Sequence, residues 1–270
     1  MIPHFPTLDK SPQMAHNRSG LTTKRGAAMI DLIRAGKFRI PVLFEDNHLL
    51  VVVKPANLPT QADRSGDDDL LSILKGYIGN KYQKPGNVYM GLVHRLDRPV
   101  GGVMVFARTS KAASRLSEAF AAHTQDRRYL AVLQGVAEQP RALEDWLLKD
   151  GRTGMVRVVD KNTPGAKRAL LDSVPLAVSD GLTLCEVRLH TGRAHQIRVQ
   201  HAHAGLPLWG DARYGGGRPG QQIALWATAL TFEHPTRREP LSFRVPPPDV
   251  EPWTRFRGAI PQNPDTGELS

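Results

Sequence analysis

Two short apolar runs, Val88 to Val93 and Val103 to Ala107, bracket a charged stretch that reads His94-Arg95-Leu96-Asp97-Arg98-Pro99-Val100-Gly101-Gly102. Runs this short, rich in Val and closed off by Pro and Gly, are strands rather than helices. The charged stretch is therefore expected to be a loop at the sheet edge, its backbone restricted by Pro99 and the two glycines. Within it Arg95, Asp97 and Arg98 crowd together. Opposite charges at close range favour the ionised carboxylate, which suits a nucleophile or an electrostatic stabiliser better than a general acid. Taken alone, such a cluster is ordinary surface chemistry.

The same punctuation recurs along the chain. Val42 to Glu45 and His48 to Lys54 read as strands joined at Asp46-Asn47, a pair with hairpin-turn chemistry, and the prolines of the following Pro55-Ala56-Asn57-Leu58-Pro59-Thr60 make a rigid connector. Asp67 to Asp69 start a helix running to about Ile78, because acidic residues favour a helix N-terminus. Thr109 or Ser110 caps a second helix through about His123, with Ala112, Leu116 and Phe120 at helical spacing. Further strands are expected at Tyr129 to Gly135, Met155 to Val159, Arg168 to Val174 and Leu182 to Leu189. Many strands with few intervening helices predict an α+β fold: one domain on a mixed, mostly antiparallel β-sheet, with flanking helices and a central cleft. We expect that domain over 41–248, closing at Pro246-Pro247-Pro248, after a basic tail over 1–40 in which Ala27 to Ala35 has the length of one short helix. Residues 249–270 read as a second tail.

Lys and Arg outnumber Asp and Glu by 36 to 26, a formal charge of +10. That excess favours a polyanionic partner, nucleic acid ahead of membrane, since no basic amphipathic helix with a bulky apolar face stands out. Cys185 is the only cysteine, so neither an intramolecular disulfide nor a cysteine metal cluster is available. No apolar run suits a leader peptide or a bilayer span, and the expectation is a cytoplasmic monomer.

The second concentrated polar stretch is Leu189-His190-Thr191-Gly192-Arg193-Ala194-His195-Gln196-Ile197-Arg198-Val199-Gln200-His201. Thr191-Gly192 breaks a strand, and the residues after it can wind as a helix with His195 and Arg198 three apart on one face, from which Arg198 could project towards Asp97. His195, His201 and His203 have no carboxylate at ligand-like spacing beside them, so no metal is expected.

These stretches together carry a resemblance. His94-Arg95-Leu96-Asp97 before a Gly-containing turn and a strand, then Thr191-Gly192-Arg193-Ala194-His195-Gln196-Ile197-Arg198, then Gly210-Asp211-Ala212-Arg213-Tyr214-Gly215, resemble in order the motifs of the RluA-like family of RNA pseudouridine synthases. The match spans about Val42 to Val245. It implies isomerisation of specific uridines in ribosomal or transfer RNA, with no metal and no redox cofactor. By residue, it implies that Asp97 is the catalytic aspartate, that Tyr129 packs on the uracil, and that Arg198 pairs with the aspartate. Arg95 is implied to enter the RNA stack as the target base leaves, with His94, Arg193, His195 and Gln196 as further substrate-binding candidates. The chain departs from the family's usual Thr-Ser-Gly at Val100-Gly101-Gly102, and it has Arg127 where a lysine is usual. The competing expectation is a catalytically inactive RNA-binding or RNA-folding module of the same fold; such a module would have no need to keep Asp97, Tyr129 and Arg198 together.

Overall fold

A computed structural model of the protein describes residues 29–218 and 221–261. In chain order the elements are β1 (Asp31–Ala35), β2 (Phe38–Glu45), β3 (Leu49–Lys54), α1 (Leu70–Lys81), β4 (Gly91–Leu92), β5 (Gly101–Ala107), α2 (Ser110–Ala121) and β6 (Asp126–Gln134). They continue as β7 (Arg141–Lys149), β8 (Val156–Val159), β9 (Lys167–Ser179), β10 (Leu182–Leu189), α3 (Gln196–His203), β11 (Leu225–Glu233) and β12 (Pro240–Arg244). The strands form a single twelve-stranded sheet in the order β1-β2-β3-β5-β11-β6-β10-β9-β7-β8, with β12 on β11 and β4 on β5. The β5–β11 pairing is parallel and spans only Trp226 opposite Gly101 and Ala227 opposite Gly102. The other strand pairings among the described residues are antiparallel. The expected α+β class with a mixed, mostly antiparallel sheet is what the chain adopts.

Successive residues of a strand point to opposite faces, and both faces of the central strands are covered. Leu50, Val52, Met104 and Ala131 lie in one core cluster with Leu70, Leu74 and Ile78 of α1. Leu49, Val51, Val105 and Leu130 lie in the other with Ala112, Leu116 and Phe120 of α2. Both helices start where their caps predict: the Asp69 carboxylate accepts from Ser72 N, and the Thr109 hydroxyl from Ala112 N. The Glu45 carboxylate pins α1 to β2, accepting from Tyr77, Lys81, Tyr82 and Arg108.

Several expectations need correction. The described part of Ala27 to Ala35 is no helix: Asp31–Ala35 is β1, paired with β2 through a two-residue turn. Gly36 takes φ +51° there, a turn geometry that glycine accepts freely. Residues 29–40 thus belong to the sheet, while 1–28 lie outside the described residues. Nor does the fold close at the three prolines. Trp253, Phe256 and Ile260 are buried in the second core cluster; residues 262–270 lie outside the described set. The strand expected over Val88 to Val93 is only Gly91–Leu92. The Asp97 loop stands at the end of a central strand, β5, rather than at the sheet edge.

Candidate active site

Asp97 opens a tight turn, closed by Val100 N donating to the Asp97 carbonyl at 3.0 Å, and several groups hold that turn from behind. Lys54, fully buried at the end of β3, donates from Nζ to the carbonyls of Val100 (2.7 Å), Arg98 and Pro55 (3.1 Å each). Thr60 Oγ1 donates to the Leu96 carbonyl at 2.8 Å. Burial pushes Lys54 down to about 7, against the pull of the Asp97 charge; three carbonyl acceptors around one ammonium also favour its charged form. Gly101, which stands where the family usually has serine, and Gly102 beside it both have a packing reason. A Cβ on Gly101 would run into the Trp226 ring and stand 3.0 Å from the Lys54 carbonyl oxygen. Gly102 sits at φ +124°, with the Ala227 backbone where a side chain would begin. Close approach of β5 to β11 leaves no room for larger residues.

The guanidinium expected beside Asp97 comes from α3, not from its own loop. Arg198 is buried and donates from Nη1 to Asp97 Oδ2 at 3.0 Å. Its other nitrogens, Nε and Nη2, donate to the two oxygens of Asp211 at 2.8 and 2.7 Å, and its face lies over the Tyr214 ring. A bidentate pair of this kind fixes the guanidinium plane as well as its position. Arg98 turns away instead, to Asp67, Asp63 and the Ser65 hydroxyl.

His195 is not in the helix. It is the residue before it, at φ +51° and ψ +21°, a left-handed conformation uncommon outside glycine. From there Nδ1 shares a hydrogen bond with the Tyr214 hydroxyl at 2.7 Å, while Nε2 lies 3.8 Å from Asp97 Oδ2. Burial lowers the His195 pKa, with Asp97 opposing and Arg198 reinforcing, so the neutral imidazole is favoured. Gln196 staples the Thr191–Arg193 loop, its Oε1 accepting from Thr191 Oγ1 and Arg193 N.

Asp97, Tyr129, Arg198, Arg95, Arg193, His195 and Gln196 line one cavity of about 390 Å³, closed by Leu96, Val100, Leu189, Ile197 and Leu225. Tyr129 is buried except for this opening. Burial raises its phenol, with the Asp97 charge adding and Arg127 opposing, so it stands there as a neutral ring and a poor proton acceptor. Arg95 is exposed at the mouth with no hydrogen-bond or ion-pair partner among the described residues. The structure does not bring His94 to this cavity. Its half-buried ring stacks on Phe120 at 4.7 Å and accepts from Val105 N at 3.1 Å. Lys54, Asp211 and Tyr214 support the site without standing out as site residues in the sequence. A lysine ending the apolar run Leu49–Lys54, and a carboxylate thirteen residues after a buried arginine, are the signals that mark the first two. Among the described residues no group of three or more His, Cys, Asp or Glu could hold a metal ion.

A carboxylate held by a buried guanidinium, with an aromatic ring across the cavity and cations at its mouth, suits work on a base drawn out of nucleic acid. Comparison with known proteins agrees. The family model described as RNA pseudouridylate synthase matches residues 48–203. Ribosomal large subunit pseudouridine synthase D of Zymomonas mobilis is 32% identical over 216 residues, covering 76% of this chain and 68% of that one. tRNA pseudouridine synthase C of Vibrio cholerae is 29% identical over 229 residues, covering 76% and 90%. The structure of human RNA Pseudouridylate Synthase Domain Containing 4 shares the fold, with a TM-score of 0.67 at 21% identity over 82% of this chain and 94% of that one. The chain belongs to the RNA pseudouridylate synthase family, isomerases that convert uridine in RNA to pseudouridine.

Proposed function

We infer that this chain isomerises uridine in ribosomal or transfer RNA at the Asp97 cavity, acting as a cytoplasmic monomer. The N1–C1′ bond of the nucleoside breaks, the base turns in place, and C5 bonds to C1′; C5 gives up its proton and N1 gains one. A uridine inside a stacked helix is out of reach, so it is flipped out at a cost of a few kcal/mol. Stacking on an aromatic ring contributes about 1–3 kcal/mol per base, and Tyr129 offers that ring, while Arg95 at the mouth fills the vacated place in the stack. Asp97 is the group that drives cleavage of the glycosidic bond, and Arg198 keeps it ionised and aimed. His195, Gln196 and Arg193 border the uracil and its ribose. Ribosomal and transfer RNA are proposed because relatives are named for each.

The observation that carries this reading is the 3.0 Å contact of Arg198 with Asp97 inside the cavity that Tyr129 also lines. Its test uses cellular RNA labelled with tritium at uracil C5. The wild-type protein is expected to release tritium to water and Asp97→Ala to release none; equal release from both would exclude Asp97 as the acting group.

A further inference from the structure

Beside the catalytic cavity lies a second recess of about 790 Å³, open to solvent, which shares Arg95 and Arg193 with it. The floor of the recess is apolar: Leu147, Val156 and Ala194 belong to the small cluster that packs β7 and β8 on α3. Its rim is cationic, with Arg95, Lys149, Lys167 and Arg193, and no carboxylate lines it. Register explains two of these positions. Lys167 stands opposite Leu147, and Lys149 follows Leu147 by two residues, so both lysines leave the same face as that floor. Diagonal neighbours of this kind have Cα atoms roughly 7–8 Å apart.

Several arginines elsewhere are neutralised within the molecule: Arg128 by Asp126 and Glu186, Arg168 by Glu144, Arg255 by Glu251, Arg257 by Asp249. None of the four rim cations has a carboxylate partner among the described residues. Beneath them Arg127 packs so closely on Gly192 that a Cβ there would lie 2.6 Å from its Nη1, and its buried Nε and Nη2 have no hydrogen-bond partner among the described residues. The facing wall of the cleft is self-neutralised, since Arg98 is taken up by Asp67 and Asp63. Like charges gathered without counter-ions repel, and a polyanion relieves that cost.

We propose that this recess seats the RNA strand adjoining the target uridine, a reading that rests on the RNA-acting function above. One base lies on the Leu147–Val156–Ala194 floor, and phosphates of the same strand run along Lys149, Lys167 and Arg193. Because only one wall is cationic, it takes one backbone. The nucleotides flanking the target are therefore single-stranded, as in a loop or bulge, rather than paired.

The test compares the wild-type protein with the double variant Lys149→Glu/Lys167→Glu, and with Lys75→Glu/Lys111→Glu, which makes the same charge change at exposed positions on α1 and α2. The probe is a fluorescein-labelled oligouridylate, alone or annealed to oligoadenylate, titrated over a range of salt. The first variant is expected to weaken single-strand binding by about tenfold and to flatten the log–log salt slope by about 1.4, two phosphate contacts at ~0.7 each. The second is expected to bind as wild type, and the wild-type protein to prefer the single strand to the duplex. Unchanged binding by the first variant, equal loss in both variants, or a preference for duplex would overturn the proposal. The binding readout is separate from isomerisation: failed tritium release by the wild-type protein would count against the activity and leave the strand seat standing or falling on its own data.

Discussion

Arg198 reaches Asp97 through Nη1 alone, at 3.0 Å, while Asp211 holds the other two nitrogens of the same guanidinium. The aim of the Asp97 carboxylate therefore depends on a second carboxylate, 1% exposed, that does not line the cavity. Asp211→Asn keeps the shape and removes the charge. Leaving Arg198 half-paired in the interior is expected to cost about 3 kcal/mol of stability, read as a shift of the urea midpoint. Misaiming the pair is expected to lower the single-turnover rate about 100-fold, with little change in RNA affinity. A rate within twofold of wild type would mean that Asp211 does not aim Arg198.

Lys54 gives its three donors to one short stretch of backbone around Asp97. Lys54→Met fills the space and leaves three carbonyls without a donor. At about 1–3 kcal/mol for an unmet buried polar group, softened by relaxation, a loss of about 3 kcal/mol is expected. The rate should fall with it, because the Asp97 turn loses its anchor; Lys54→Arg, too large for the site, should not restore it. Urea unfolding together with tritium release checks both.

Acid should destabilise the fold through two interior imidazoles before the carboxylates matter. Burial pushes His94 down to about 3 and His201 to about 4, against about 6.5 in an unfolded chain. Between about pH 6.5 and 4 the unfolded state therefore binds two protons that the folded state does not. Stability is full above that window and falls with pH by about 1.4 kcal/mol per unit for each histidine. His94→Gln, whose Oε1 can accept from Val105 N, should remove one proton from that slope. Denaturant titrations across the window measure it.

Gly101 and Trp226 occupy one space between them. Gly101→Ser, which supplies a hydroxyl usual in the family, is expected to cost about 2 kcal/mol by overpacking. In Trp226→Ala the same serine should be tolerated, giving a coupling of 1 kcal/mol or more by double-mutant cycle, at about the size known for contacting residues. Additive losses would mean that the ring is not what excludes the side chain.

Much of this was readable from the residues where local chemistry decides the outcome. Asp46-Asn47 marks the β2–β3 hairpin, and Asp69 and Thr109 mark two helix starts, because turns and caps are set by the residues that form them. The sheet's later strands are less legible. Leu225–Glu233 is apolar with no period that separates strand from helix, and only its neighbours β5, β6 and β12 make it a strand. At the site, the order of motifs puts Asp97, Tyr129 and Arg198 together, since each lies in a distinctive local pattern. Direction is what a linear pattern does not encode. Arg98 is adjacent to Asp97 in the chain and points elsewhere, and His94 sits inside the motif yet serves the core. The packing of Trp253, Phe256 and Ile260 depends on a return of the chain beyond Pro248 that no local signal announces.

The single parallel seam has a kinetic consequence. β1, β2, β3 and β5 lie on one side of it and the strands from β11 to β8 on the other, joined along the ladder by only two residue pairs. Asp97 precedes β5, whereas Tyr129, Arg198 and Asp211 come with the other half, and the Asp97–Arg198 contact spans 101 residues. Each half can gather its own hairpins early, since nearby segments meet sooner than distant ones. On refolding, strand content should thus return ahead of turnover, making catalysis the last reporter of a finished molecule.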